Sequence, residues 1–293
     1  MKPRPTMRNC LGLLMLAGLT LHPGPAMSGD KATEVDRVRQ LAIHNDVQAQ
    51  NELGLLYAQG TKGLGQDYGQ AVFWWRKAAA SGNAEAQFNL GHLYQKGEGV
   101  PADMAQAMVW YQKAAAQGHK KAARRLKNIK LQTDKIEQAA KNGNVAAQVA
   151  LGDVYATGNG LPKDEAKAVE MYRQAAERGS ADGQYKLGLM LAEGRGVKQD
   201  YDQAIYWYKK AIKQNNAQAK YYLSSMYFMG KGVEKDNILA YAWLSLAADQ
   251  EDKLAQENKG FAASMLTPEQ LAQAQEKAKE LQAQIKVRGR RRP

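Results

Sequence analysis

The chain is expected to fold as an all-α protein, an α/α superhelical solenoid of stacked helical hairpins. Three observations predict this. A leucine recurs at Leu53, Leu90, Leu151, Leu187 and Leu223, with spacings of 37, 61, 36 and 36 residues. A bulky residue follows each leucine at Trp74, Trp110, Met171, Trp207 and Trp243, spaced 36, 61, 36 and 36. Between the two series the chain carries the local signals of one helix ending and another beginning. A fixed period in this range marks repeat architectures, in which one hairpin cannot bury its apolar face alone and stacking buries it.

Each unit reads as two helices. In the first, Ala49, Leu53, Leu56 and Tyr57 fall at i, i+4, i+7 and i+8, a single apolar stripe. Gly54 recurs as Gly91, Gly152 and Gly188, inside the helix, where glycine costs about 1 kcal/mol against alanine; close approach of a neighbouring helix explains its use. The helix stops at Gly97, Gly158, Gly194 or Gly230, and a second glycine with an apolar plug follows, as in Gly99-Val100 and Gly196-Val197. Asp67, Asp103, Asp164, Asp200 and Asp236 are expected to cap the second helix, with Gln70, Gln106 and Gln203 completing capping boxes. That helix ends in an alanine pair, Ala78-Ala79, Ala114-Ala115 or Ala175-Ala176, with a glycine three residues on.

These residues resemble Sel1-like repeats, relatives of tetratricopeptide repeats, over roughly residues 45–250. The expected organisation is repeats one and two in 45–118, a degenerate unit in 119–143 and repeats three to five in 144–250. The 61-residue spacing leaves the degenerate unit eleven residues short and without its Gly-x-Gly loop; it is compatible with a hairpin capped at Asp134 or Glu137, or with one continuous helix. A capping helix is expected in 29–44, and capping helices again in 251–286, the last started by Thr267, Pro268 and Gln270 and running to about Lys286. A basic, disordered tail is expected over 287–293.

Residues 1–28 have the layout of a cleaved export signal: Lys2, Arg4 and Arg8, an apolar run from Leu11 to Leu21, then small residues before Ser28. A periplasmic protein is therefore expected. Cys10 precedes that run, so the mature chain has no thiol or disulfide chemistry. Net charge is +12, of which +9 falls after Ser28. Export argues against nucleic acid and favours an acidic protein or an anionic surface as partner.

Catalytic and ligand signals are weak. The Gly-x-Gly loops lack the third glycine and preceding strand of a nucleotide-binding fingerprint. His92 and His119 stand without a second ligand at zinc spacing and read as ordinary polar positions. The five tryptophans keep helical register and read as core. No cofactor or metal is expected. The resemblance also brings penicillin binding and weak β-lactam hydrolysis, known for cysteine-rich members, which a cysteine-free mature chain does not carry over.

The expected function is a non-catalytic adaptor holding a protein partner along the concave face of the solenoid. What the resemblance adds is an immunity protein that neutralises a secreted phospholipase-type effector; a weak cell-wall hydrolase, or a peptidoglycan or lipid binder using the basic tail, are the competing readings. The candidate groove residues lie opposite the core stripe of each first helix: Phe88, His92, Gln95, Asp153, Tyr185, Leu189, Tyr221, Ser225 and Phe228. A basic patch of Lys120, Lys121, Arg124, Arg125, Lys127 and Lys130 crowds the degenerate unit, either as a solvated face or as a dock for an acidic partner.

Overall fold

The computed structural model describes residues 33–290, with side chains as far as Ile285. The expected signal peptide lies outside the described residues. These form fourteen helices and no strand: α1 (Glu34–Ile43), α2 (Val47–Gln59), α3 (Tyr68–Ala80), α4 (Ala84–Lys96), α5 (Met104–Ala116), α6 (Lys120–Lys141), α7 (Val145–Thr157), α8 (Glu165–Glu177), α9 (Ala181–Glu193), α10 (Tyr201–Ile212), α11 (Ala217–Met229), α12 (Asn237–Ala248), α13 (Lys253–Ser264) and α14 (Pro268–Arg290). Consecutive helices from α1 to α13 pack on one another, and the most extensive contacts are within the hairpins α2–α3, α4–α5, α7–α8, α9–α10 and α11–α12. The pattern breaks only at the end, where α14 returns to cover α12.

The chain makes its hairpins by local means. Gly97 closes α4 in the left-handed region at φ 75°, where a side chain would be strained, and its N–H donates to the Leu93 carbonyl. Asp103 then caps α5, its carboxylate accepting from the Gln106 N–H at 2.9 Å. The same arrangement holds at Asp67, Asp164, Asp200 and Asp236. The expected capping boxes at Gln70, Gln106 and Gln203 do not form. The N–H groups of Asp67, Asp103 and Asp200 already donate to the carbonyls of Tyr57, Tyr94 and Leu191 across the loop, leaving nothing for a glutamine to accept. Reciprocal boxes form instead at Thr33–Asp36 in α1 and Thr267–Gln270 at the start of α14.

Within each hairpin, the mid-helix glycine is where an aromatic ring lies. A Cβ on Gly91 would sit 2.6 Å from the Tyr111 ring, and Gly54, Gly152 and Gly188 meet Trp75, Tyr172 and Tyr208 equally closely. The last hairpin changes both members in register, with Ser224 in place of glycine and Leu244 in place of the ring. Trp74, Trp75, Trp207 and Trp243 are buried as expected, while Trp110 is half-buried.

The second glycine of each loop lets one repeat touch the next. A Cβ on Gly196 would collide with the Glu165 carbonyl at the start of α8, and Gly99 and Gly232 meet Tyr68 and Tyr201 in the same way. Gly160 meets Thr133 in the middle of α6 instead. The degenerate unit is thus one continuous 22-residue helix that replaces a hairpin while still offering a seat to the following loop. Asp134 and Glu137 lie inside it and cap nothing. The tail expectation is corrected in part: α14 continues to Arg290, so residues 287–290 are helical, and 291–293 lie outside the described residues. The run 281–286 is made of helix formers, and a glycine inside a helix costs only about 1 kcal/mol, so Gly289 does not end it.

Candidate partner-binding site

All nine expected groove residues are half-buried. Several are engaged by the second helix of their own hairpin or by the element that follows it. Phe88 stacks on His119 with ring centroids 4.7 Å apart and leans on Tyr111 at 5.7 Å. Gln95 accepts a hydrogen bond from the Tyr111 hydroxyl at 2.7 Å. Asp153 accepts from the Tyr172 hydroxyl at 2.6 Å and from Lys186 Nζ at 2.7 Å. Burial is the largest influence on Lys186 and opposes its charge, but the bond to Asp153 and the attraction of Tyr185 and Asp153 together outweigh it, and the ammonium is held above its ordinary range. Tyr172 is pushed up by burial first and by its bond to Asp153 second. These groups form a closed polar set in the middle of the array. Leu189, on α9 beside them, is also half-buried.

The C-terminal end of the face differs. Tyr185 stacks on Tyr222 at 6.5 Å, Tyr222 on Tyr208 at 5.9 Å, and Tyr221 meets Tyr222 edge-on at 5.3 Å. Beyond this cluster, Tyr221, Ser225 and Phe228 line a pocket of about 80 Å³ with Asn237, Tyr241 and Leu244 of α12 and Asn258 and Phe261 of α13. Phe228 and Phe261 face each other at 6.3 Å. Met229 and Phe261 at the rim are 46% and 44% exposed, although both are large and apolar. The Asn237 Oδ1 atom is buried without a hydrogen-bond partner. Three of the nine expected residues thus converge in one apolar pocket holding one unmet acceptor; the other six do not join it. The wall from α13 was not visible in the repeat pattern, because α13 lies past the last repeat.

His92 and Arg125 connect this face to the basic patch. His92 is held below its ordinary value by burial first, then by Lys96 and Arg125. Its Nδ1 atom has no partner. His119 is the N-cap of α6: Nδ1 accepts from the Ala122 N–H at 3.2 Å, and Nε2 lies 2.9 Å from Glu85. Lys120, Lys121, Arg124, Arg125, Lys127 and Lys130 are all exposed, and none makes an ion pair among the described residues.

One functional series escaped the motif search. Gln50, Gln87, Gln148 and Gln184 are buried, one per first helix, with Lys220 in the last repeat. Gln50, Gln87 and Gln184 each donate from Nε2 at 3.1 Å to the carbonyl of Ala42, Ala79 or Ala176 at the end of the preceding helix. Each of these helix-end carbonyls also accepts a backbone N–H, from Asn45, Gly82 or Gly179, and the glutamine takes its second acceptor position, joining one repeat to the next. After α6 the join differs, and Gln148 donates to Gln174 at 3.0 Å. The spacing of the four glutamines repeats that of the leucines and could have revealed them.

Nothing in this arrangement gathers a nucleophile with a base. Among the described residues no group of three or more His, Cys, Asp or Glu side chains is placed to hold a metal ion, and no helix is long and apolar enough to cross a membrane.

The Sel1 repeat family model matches residues 47–83, 84–119, 145–180, 181–216 and 217–252. The residues left between the second and third matches, 120–144, are those of α6 and the turn after it. Among solved structures, the chain is 34% identical to a Sel1 repeat protein from Oxalobacter formigenes, covering 73% of this chain and 90% of that one, with a TM-score of 0.37. It is 29% identical to a protective antigen of uropathogenic Escherichia coli, covering 84% of this chain with a TM-score of 0.40, and it spans 63% of the antigen's length. An immunity protein from Pseudomonas aeruginosa is 22% identical, over 69% of this chain and 81% of its own, with a TM-score of 0.33. Comparison with curated proteins finds no match. The matched repeats make up most of the chain, which belongs to the Sel1 repeat family.

Proposed function

We propose that this protein is an exported, periplasmic adaptor that holds a partner protein by the face of its first helices, anchored in the pocket between α11, α12 and α13. Sel1 repeat proteins generally mediate protein–protein interaction and are generally non-catalytic scaffolds. The observation that carries the reading is the pocket itself, where Tyr221, Ser225 and Phe228 meet two exposed apolar side chains, Met229 and Phe261. Exposed apolar side chains around a concave site are the usual mark of a protein-binding anchor. Its size suits the end of one apolar side chain, and Asn237 Oδ1 would accept an N–H from the same segment.

Export is supported by the layout of residues 1–28, with a basic start and a short apolar run. N-terminal sequencing of the protein recovered from the periplasm should begin near residue 29; recovery from the cytoplasm with Met1 intact would reject export. Binding is tested by capture from envelope extract with the native chain and with Met229→Glu/Phe261→Glu, which alters exposed positions. We expect one or more proteins captured by the native chain and lost by at least tenfold with the variant. Equal capture by both removes the pocket from the interface. A single tight complex of fixed stoichiometry would identify the immunity-type use of the scaffold, and several weaker partners the adaptor use.

A further inference from the structure

The interruption in the repeat array is also its most cationic surface. Helix α6 occupies the stretch that no repeat model matches. It has Lys120 and Lys121 in its first turn and no acidic residue there, whereas α4, α8, α9 and α10 each place Asp or Glu in theirs. Cations at the positive end of a helix dipole repel it, and Lys120 with Arg124, and Lys121 with Arg125, stand as like charges at i,i+4. The nearby carboxylate, Glu85, is taken by His119, and none of the six cations makes an ion pair among the described residues.

The cations are also ordered. Lys120, Arg124 and Lys127 share one stripe, spanning about 10 Å of helix axis. The next position of that stripe is Leu131, 52% exposed and the most exposed large apolar residue among those described. Arg125, about 140° round the helix from Lys120, lies close enough to His92 to depress its protonation, so another side of the charged helix adjoins the face of the first helices.

We propose that α6 is a docking element for an acidic helical segment of the partner protein, one that presents carboxylates to Lys120, Arg124 and Lys127 and an apolar residue to Leu131. The inference rests on the adaptor reading and adds the chemistry of its partner. A straight row of cations ending in one apolar side chain matches a single helix; one isolated leucine is too little apolar surface to enter a membrane. An uncompensated positive row would both steer and orient such a segment.

The test uses the full chain and a labelled helical peptide with Glu at i, i+4 and i+7 and Leu at i+11, with a Gln-for-Glu control, read by fluorescence anisotropy. Binding is expected for the Glu peptide, weakening as salt rises, and falling at least tenfold in Lys120→Glu/Arg124→Glu/Lys127→Glu. Circular dichroism of the variant should show an unchanged helical fold, since all three positions are exposed. Met229→Glu/Phe261→Glu should bind the peptide as the native chain does, which separates failure of the pocket from failure of α6. Equal affinity for the native chain and the triple variant, no binding of the Glu peptide at low salt, or binding to phosphatidylglycerol vesicles without binding to the peptide would each overturn the proposal.

Discussion

Gly91 and Gly260 are both glycines inside helices, and they serve opposite needs. At Gly91 a Cβ would lie 2.6 Å from the Tyr111 ring, while at Gly260 nothing lies within 4 Å. Overpacking a fixed ring costs about 1–3 kcal/mol, more than the roughly 1 kcal/mol that alanine adds to a helix. Gly91→Ala should therefore unfold at lower denaturant than the native protein and Gly260→Ala at higher, measured by urea titration. The same direction of change at both sites would refute the ring-contact account. Lys220 offers a second test. It replaces the joining glutamine of the other repeats, is fully buried, and burial lowers its pKa to about 8 from an ordinary value of 10.5. The unfolded chain holds that proton more tightly, so the buried ammonium weakens the fold below pH 8, and the penalty fades as pH rises from about 8 to 10.5. Lys220→Gln should melt higher than the native chain at pH 7, and the gap should close by pH 10; a gap that stays constant with pH would show that Lys220 is not the cause. The aspartate N-caps were legible because their signals are local; close approach at the mid-helix glycines was expected, but not the rings that make it, which stand one residue after Trp74, Trp110, Met171 and Trp207. The glutamine joins had the same period as the leucines, but a buried polar residue reads as a surface one until its carbonyl partner is located in the preceding repeat.

At the level of elements, the period located every repeat, and its break located α6, but the pattern did not decide between a hairpin and a single helix. Residues 119–143 satisfy both, since Ala122 belongs to the first-helix stripe and Ala140 to the second-helix end, and both are buried on one face of the continuous helix. The tail was misread for a related reason: composition marks 287–293 as charged, yet the helix begun at Pro268 runs through Gly289 to Arg290. Helix α14 is an element with a specific duty. It packs on α12, and its Ala278 and Ile285 join the core that includes Trp243 and Leu246. Truncation after Leu266 should uncover that face. Because each repeat is stabilised only by its neighbours, hydrogen exchange should quicken in α11 and α12 and stay as before in α2 to α5. Uniform acceleration through all repeats would contradict this local coupling.

At the scale of the whole molecule, the consequence of nearest-neighbour stacking is a long surface in which different repeats offer different chemistry. The middle is closed by the Asp153–Lys186–Tyr172 set, the degenerate unit is cationic, and the last repeat opens into an apolar pocket. The period marked a stripe on the first helices but could not grade its exposure, which depends on rings from neighbouring helices and on α13, which carries no repeat signature. The measurement that bears most directly on the central claim, that this chain acts by holding a protein against the face of its first helices, is site-specific photocrosslinking in cells. A benzophenone side chain at Met229, at the pocket rim, is compared with one at Phe73, equally exposed at 45% but on the second helix of the first hairpin. The account predicts a discrete protein adduct from Met229 and none from Phe73. An adduct from Phe73 alone, or no adduct from Met229 in cells where the partner is captured by other means, would contradict it.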